Sequence, residues 1–456
     1  MIKTILINKD NPWKEAYAKN RILVETQSYK DENILVEEET LYYFEKLKEK
    51  LLENNIEIGL SSAFRTIKDQ EIIKNEYIEN NIDYKNYVAP INNSEHYTGL
   101  ALDIVVKKDN VYNEDIDLLE KTHKYLKDYG FILRYPKEKE SITGYSYEPW
   151  HIRYVGKIPA TIIMDNNLTL EEYLKDYSAV LYINKKKGIT SFDVVHEISK
   201  IFGIKKVGHT GTLDPLATGV MIVTIGKATK IVELLTKEDK EYIATVKRGI
   251  LTDTLDIEGK IIKEKEPKEI SNLKEVLNSF KKTYLQEVPI YSAIKVNGKK
   301  LYNYARNNEE VELPKKEVTI KEIELLEEKK DSFTFKTLVT KGCYIRSLIR
   351  DIGNSIDEYM TMTDLIRTKQ GDISIEETNT LEDIKNNNFT VHKIDEVLDY
   401  PKEIVKEDLE KLIRNGYKIE NNLGIKDKVI FKSLDNTILG IYEVKDNNLV
   451  VWKNFV

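Results

Sequence analysis

Two dense motif blocks of unrelated chemistry lie in this chain with no Gly-, Pro- or Ser-rich linker between them, and that juxtaposition rules out a single core. The first is Ser94-Glu95-His96 through Asp103, followed by Glu148-Pro149-Trp150-His151. The second is Gly208-His209-Thr210-Gly211-Thr212-Leu213-Asp214-Pro215-Leu216-Ala217-Thr218-Gly219. At 456 residues the chain is long enough for two to four domains, and neither an internal repeat nor a low-complexity segment separates them. With 41% hydrophobic and 32% charged residues, it is composed as a globular protein and not a disordered one.

Charge divides unevenly. Residues 1–177 hold 24 Lys and Arg against 32 Asp and Glu, whereas 178–456 hold 46 against 45. The acidic part has no electrostatic reason to meet nucleic acid; the near-neutral part has room for a basic face. A single cysteine, Cys343, excludes an internal disulfide and fits a reducing compartment. The N-terminus lacks an apolar targeting core, and no run approaches the ~18 apolar residues of a membrane span. The expectation is a cytoplasmic chain with no membrane partner.

Helical spacing of Leu41, Phe44, Leu47, Leu51 and Leu52 predicts a helix over 37–55, and a short strand over 56–60 leads to Arg65. A second amphipathic helix is expected over 115–129, ending at Gly130, and a short closing helix over 168–177. A strand at 179–183 follows at once, which puts a boundary near 177/178. Alternation predicts strands at 241–247 and 333–339. A charged, Asn-rich stretch at 380–389 suggests a second boundary. Short strands at 428–432, 438–444 and 449–452 then suggest a small β domain.

Two imidazoles and a carboxylate are ligand types that suit zinc and leave a fourth position open. Asp103 belongs to the apolar run 99–106, a strand, with His96 on the loop feeding it. Glu148 and His151 flank Pro149 and Trp150, close enough to share one site, with Glu148 placed to act as general base. Arg65 offers a planar guanidinium for a substrate carboxylate. Spacing alone leaves open that these residues are unrelated. The pattern Ser94-x-His96-x-x-Gly99-x-Ala101-x-Asp103, with Glu148-Pro149-Trp150-His151-x-Arg153-Tyr154-Val155-Gly156, closely resembles the VanY-like D-alanyl-D-alanine carboxypeptidases. So do residues 8–12, 129–136 and 170–174. The resemblance implies His96, Asp103 and His151 as zinc ligands, Glu148 as base, Arg65 as carboxylate clamp, and Ser94 among the substrate-binding residues. The implied substrate is a peptide ending in D-alanine.

Asp214 lies between Gly211 and Gly219 and precedes Pro215, which disfavours helix at the aspartate. A loop carboxylate is ordinarily a turn or cap residue. Here the small residues around it permit close backbone approach to a ligand, and His209 beside it can stack on a base. The string resembles the TruB-type tRNA pseudouridine synthases, as do segments 188–195, 226–230, 252–259, 288–295, 299–306 and 341–348. The resemblance implies isomerisation of uridine 55 in the tRNA T-loop, with the base flipped out of its stack. By position, Asp214 is the nucleophile, Tyr242 stacks on the uracil and assists proton transfer, and Arg346 pairs with Asp214. Tyr344 and Ile366 line the pocket, His209 packs against displaced bases, and Lys230 makes a phosphate or loop contact. No cofactor is implied for this half. Two departures stand out: Lys186 where the family usually has proline, and Cys343 where it usually has threonine.

The fold expected is α+β multidomain. A small α+β zinc-peptidase domain spans 1–177, a mixed-sheet α+β pseudouridine synthase domain 178–389, and a small β-rich PUA-like RNA-binding domain 390–456. The partners are tRNA, through its T-arm, and a D-alanine-terminated peptide, with no obligate protein partner evident. Two alternatives stand beside the bifunctional reading: a tRNA-binding folding aid, or a synthase carrying a non-catalytic peptide-binding module.

Overall fold

A computed structural model describes residues 3–79 and 88–456, and the chain divides into two compact units. One comprises residues 1–177 with 197–206, the other 178–196 with 207–456. Among the described residues no helix is long and apolar enough to cross a membrane.

The first unit is built on an antiparallel sheet in the order Ile58–Ser62, Ala101–Lys108, His151–Tyr154, Phe131–Leu133, with Val111–Asn113 pairing beside Ala101–Lys108. Strand alternation sends Leu102, Ile104 and Val106 to one face. There they meet Phe44, Leu47 and Leu51 of helix Glu38–Glu53 and Leu119 and Leu126 of helix Ile116–Leu126. Both helices start where the sequence supplies a cap: the Glu37 carboxylate accepts from Thr40 N, and the Asp115 carboxylate from Leu118 N. The second ends in a 3-10 turn closed by Gly130 at φ 82°, a left-handed position where a Cβ would strike Tyr154. Leu52, expected on the apolar stripe of the first helix, is 59% exposed, because it lies off the face that Phe44, Leu47 and Leu51 share.

In the second unit a mixed sheet runs Thr283–Glu287, Lys315–Glu328, Ser332–Val339, Lys240–Arg248, Met360–Gln370, Thr218–Gly226, Ser178–Lys185. All neighbours on this path are antiparallel except Thr218–Gly226 and Met360–Gln370, which are parallel. Helix Ile345–Ser355 packs Ile345, Leu348, Ile349 and Ile352 against Ala244, Val246, Phe333 and Phe335 of the sheet. A separate five-stranded sheet holds Lys402–Ile404, Lys428–Lys432, Ile438–Lys445, Asn448–Asn454 and Ile419–Glu420. The stretch 380–389 carries a short capped helix. Thr380 caps helix Leu381–Lys385, Ile384 is fully buried, and His392 exchanges main-chain bonds with Val180.

Candidate active sites

Cross-strand register assembles the first site. Asp103 and His151 are direct partners on adjacent strands, and Ser62 faces Asp103 from the other side. His96 arrives from the 3-10 turn Glu95–Thr98, whose Ser94 N-cap accepts from His96 N. Ligand atoms of His96, Asp103 and His151 all lie within 4.8 Å of one another. His151 Nδ1 is 2.9 Å from Asp103 Oδ1, and His96 Nε2 is 3.3 Å from Asp103 Oδ2. His96 Nδ1 lies 2.5 Å from the Ala63 carbonyl, so it donates there and leaves Nε2 as the lone-pair atom. Burial holds the His96 imidazole down at about 4, neutral at ordinary pH. Burial pushes the Asp103 carboxyl up, but His96, His151 and Arg65 outweigh it and keep it well below the usual carboxylate range. Two imidazoles and an ionised carboxylate, all buried and convergent, are a donor set that fits zinc.

Glu148 stands 3.7 Å from His151 Nδ1 and is 5% exposed. Burial raises its carboxyl to about 7, with His151 opposing and Asp103 reinforcing the shift. The turn carrying the pair is braced: His151 N donates to Glu148 O, Glu148 N to Tyr135 O, and His123 Nε2 sits 2.9 Å from Pro149 O. Arg65 donates from Nε to Ser62 Oγ at 2.9 Å and from Nη2 to Asp103 Oδ2 at 2.6 Å, so its guanidinium faces the same site. Ser94 is 2% exposed, and its hydroxyl is the turn's cap.

Sequence reasoning missed the charged cluster beside these groups. Glu95 is 2% exposed and lies 2.7 Å from Arg134 and 3.0 Å from Arg153, with its other oxygen 3.7 Å from His151 Nε2. Arg134 also grips Glu171 through two bonds, at 2.9 and 2.7 Å. Each residue falls inside a motif-like string, but no spacing rule announces pairings 37 to 58 residues apart.

The second site opens on a cleft of about 380 Å³ in the other unit, lined by Asp214, Tyr242, Tyr344 and Arg346, among others. The aspartate loop is pinned from both sides. Ser191 Oγ accepts from Leu213 N and donates to Leu213 O, while Gly188 N and Lys185 Nζ donate to Pro215 O. Leu213, Leu216 and Ala217 sink into the core, leaving the Asp214 side chain 34% exposed. Gly219, at φ 101°, permits this path: a Cβ there would sit 2.2 Å from Arg367 O. Arg346 Nε reaches Asp214 Oδ2 at 2.9 Å. Tyr242 lies on strand Lys240–Arg248, 8% exposed, and burial raises the Tyr344 phenol.

Three residues expected to contact substrate, Ile366 in the pocket and Lys230 and His209 around it, do not line the cleft. Ile366 is not on the cleft wall, which is formed by Leu365 and Arg367. Bulges at Glu241/Tyr242 and Thr245/Val246 shift the pairing of Lys240–Arg248 with Met360–Gln370, so position in the string does not fix which side chain lines the cleft. The Lys230 ammonium meets the carbonyl of Asn454 and the Phe455 ring, not the cleft. His209 sits on the short strand Val207–His209 outside the lining, its Nδ1 accepting from Gly211 N, with burial lowering its imidazole. Unexpected on the wall is Lys240, an ammonium that burial brings down to about 8.

The second site is thus a carboxylate held by arginine at a cleft, on a loop pinned to a mixed sheet. Residues 199–345 match the TruB family pseudouridylate synthase (N terminal domain), and residues 33–157 match D-alanyl-D-alanine carboxypeptidase (VanY). The tRNA pseudouridine synthase B of Clostridium tetani is 42% identical over 271 residues, covering 58% of this chain and 92% of that protein. That of Fusobacterium nucleatum is 45% identical over 281 residues, covering 59% and 97%. A variant of the vancomycin resistance D,D-pentapeptidase VanY from the VanB-type cassette, solved with Zn(II), is 30% identical over 38% of this chain and all of that one, at TM-score 0.34. The chain belongs to the TruB pseudouridine synthase family and carries a VanY-type carboxypeptidase domain ahead of the synthase.

Proposed function

We propose that the second unit converts uridine 55 of the tRNA T-loop to pseudouridine, exchanging an N-glycosidic for a C-glycosidic bond. Residues 178–389 form the catalytic domain and 390–456 a PUA-like RNA-binding domain. The observation that carries this reading is the Arg346–Asp214 pair at 2.9 Å inside a cleft large enough for a flipped base. Asp214 is the nucleophile, and Arg346 orients it. Tyr242 stacks on the uracil and assists proton transfer, with Tyr344 and Leu365 closing the pocket. That the substrate is tRNA rests on the relatives' name, tRNA pseudouridine synthase B, and the T-loop position on the resemblance of the Asp214 string. Purified chain with unmodified tRNA should form pseudouridine at that position, and Asp214→Asn should bind the tRNA without modifying it. Product from that variant would remove Asp214 from its role.

Residues 1–177 form, on the same proposal, a zinc D,D-carboxypeptidase acting on D-alanine-terminated peptides. His96, Asp103 and His151 hold the metal. A zinc ion held there would supply Lewis-acid chemistry to the hydrolysis. Glu148, buried with its carboxyl near 7, takes up and returns the proton at neutral pH. Arg65 holds the substrate carboxylate. D-alanine release from a pentapeptide, abolished both by a chelator and by Glu148→Gln, tests it. Zinc-loaded protein that binds the peptide without releasing D-alanine would make this a peptide-binding module.

A further inference from the structure

Helix Ile345–Ser355 carries Arg346 in its first turn, and its N-cap residue is Tyr344, a wall of the cleft. Tyr344 makes no capping bond with its own side chain. Its main chain is held instead from strand Thr283–Glu287, 58 residues earlier. Gln286 Oε1 accepts from Tyr344 N at 2.8 Å, and Gln286 Nε2 donates to Tyr344 O at 3.2 Å. An N–H only donates and a carbonyl only accepts, so the amide fits one way round. Gln286 is 1% exposed, and its Nε2 also lies 2.9 Å from Tyr284 Oη, which donates to Asp351 Oδ2 at 3.1 Å. The next residue continues the attachment: Glu287 O accepts from Ser347 Oγ at 2.8 Å.

We propose that Gln286 is a positioning residue for the isomerisation, setting Tyr344 and, through the helix start, Arg346 in register with Asp214. A buried amide that satisfies both main-chain groups of one residue fixes its translation and rotation together. Arg346 sits two residues on, and its other nitrogens are committed to the Thr254 and Tyr291 carbonyls at 2.8 and 3.0 Å. A slip of the helix start therefore changes the Asp214 contact. Gln286 is too buried to touch RNA, so its effect falls on the chemical step and not on tRNA affinity.

The test uses the full chain and unmodified tRNA, measuring single-turnover pseudouridine formation and tRNA affinity in parallel. Gln286→Met keeps size and removes both bonds; a rate loss of about 100-fold with unchanged affinity is expected. Gln286→Glu adds a pH readout that a packing role would not move. A protonated carboxyl replaces the amide donor and an ionised one does not, so the variant's rate relative to the parent should rise as pH falls from 8 to roughly 5.5. A folded Gln286→Met protein with parental rate, or a rate loss matched by lost tRNA affinity, overturns the proposal. If that variant does not fold, a flat Gln286→Glu ratio across pH overturns it.

Discussion

Arg346 meets Asp214 with its Nε, at 2.9 Å, while its two terminal nitrogens donate to the carbonyls of Thr254 and Tyr291. Three acceptors therefore hold one planar group, and Asp214 faces a cation that cannot swing away. The Asp256 carboxylate, 3.5 Å from Nη1, adds a second negative charge beside the guanidinium. Lysine has the charge but not the fork. Arg346→Lys is expected to cut pseudouridine formation by about 100-fold while tRNA binding stays near parental. Equal losses in rate and binding would mean that Arg346 serves the RNA and not the nucleophile.

Leu365 and Ile366 are neighbours with different fates, since only Leu365 lines the cleft. Leu365→Ala should slow modification by opening the base pocket, at a cost of about 2–3 kcal/mol in combined packing and substrate contact. Ile366→Ala should leave the rate per folded molecule unchanged. Rates normalised to folded protein distinguish the two, and the reverse ranking would place Ile366 at the base.

Glu148 makes the metal-free first unit sensitive to pH. Its native carboxyl is raised from 4.5 to about 7, so between those values the folded protein keeps a proton that the unfolded chain releases. Stability consequently falls as pH rises through that window, by about 3 kcal/mol in all. His151, raised to about 9 chiefly because Asp103 and Glu95 outweigh its burial, acts higher: its contribution is complete below about 6.5 and is lost as pH passes 9. Urea unfolding of chelator-treated chain at pH 5 and 7.5 should show the parent losing stability relative to Glu148→Gln. A constant difference between the two proteins would contradict the burial argument.

Arg134, fully buried, ties Glu95 to Glu171. Arg134→Met leaves Glu171 without that partner and Glu95 with only Arg153 and His151 beside it. The expected loss is about 3–5 kcal/mol in the first unit, because a buried carboxylate without its counter-ion keeps the desolvation cost and loses the compensation. Thermal unfolding followed within that unit measures it, and an unshifted transition would show that Arg153 and His151 suffice.

What was legible in the residues themselves was local. The apolar stripe of 37–55 announced helix Glu38–Glu53, strict alternation announced Ser332–Val339, and the strings around His96, Asp103, Glu148, His151, Asp214 and Arg346 carried the resemblance to two families. The pairing of Asp103 with His151 across two strands, and of Arg346 with Asp214 across 132 residues of chain, lay beyond any periodicity. So did the grip of Gln286 on Tyr344 and the choice of Leu365 over Ile366 for the cleft wall. Periodicity records which face of an element meets the core, since burial depends on neighbours three, four or two residues away. It carries no information about which distant side chain stands opposite. Strand register, bulges and the docking of helix ends decide that, and they are settled only when the whole core packs.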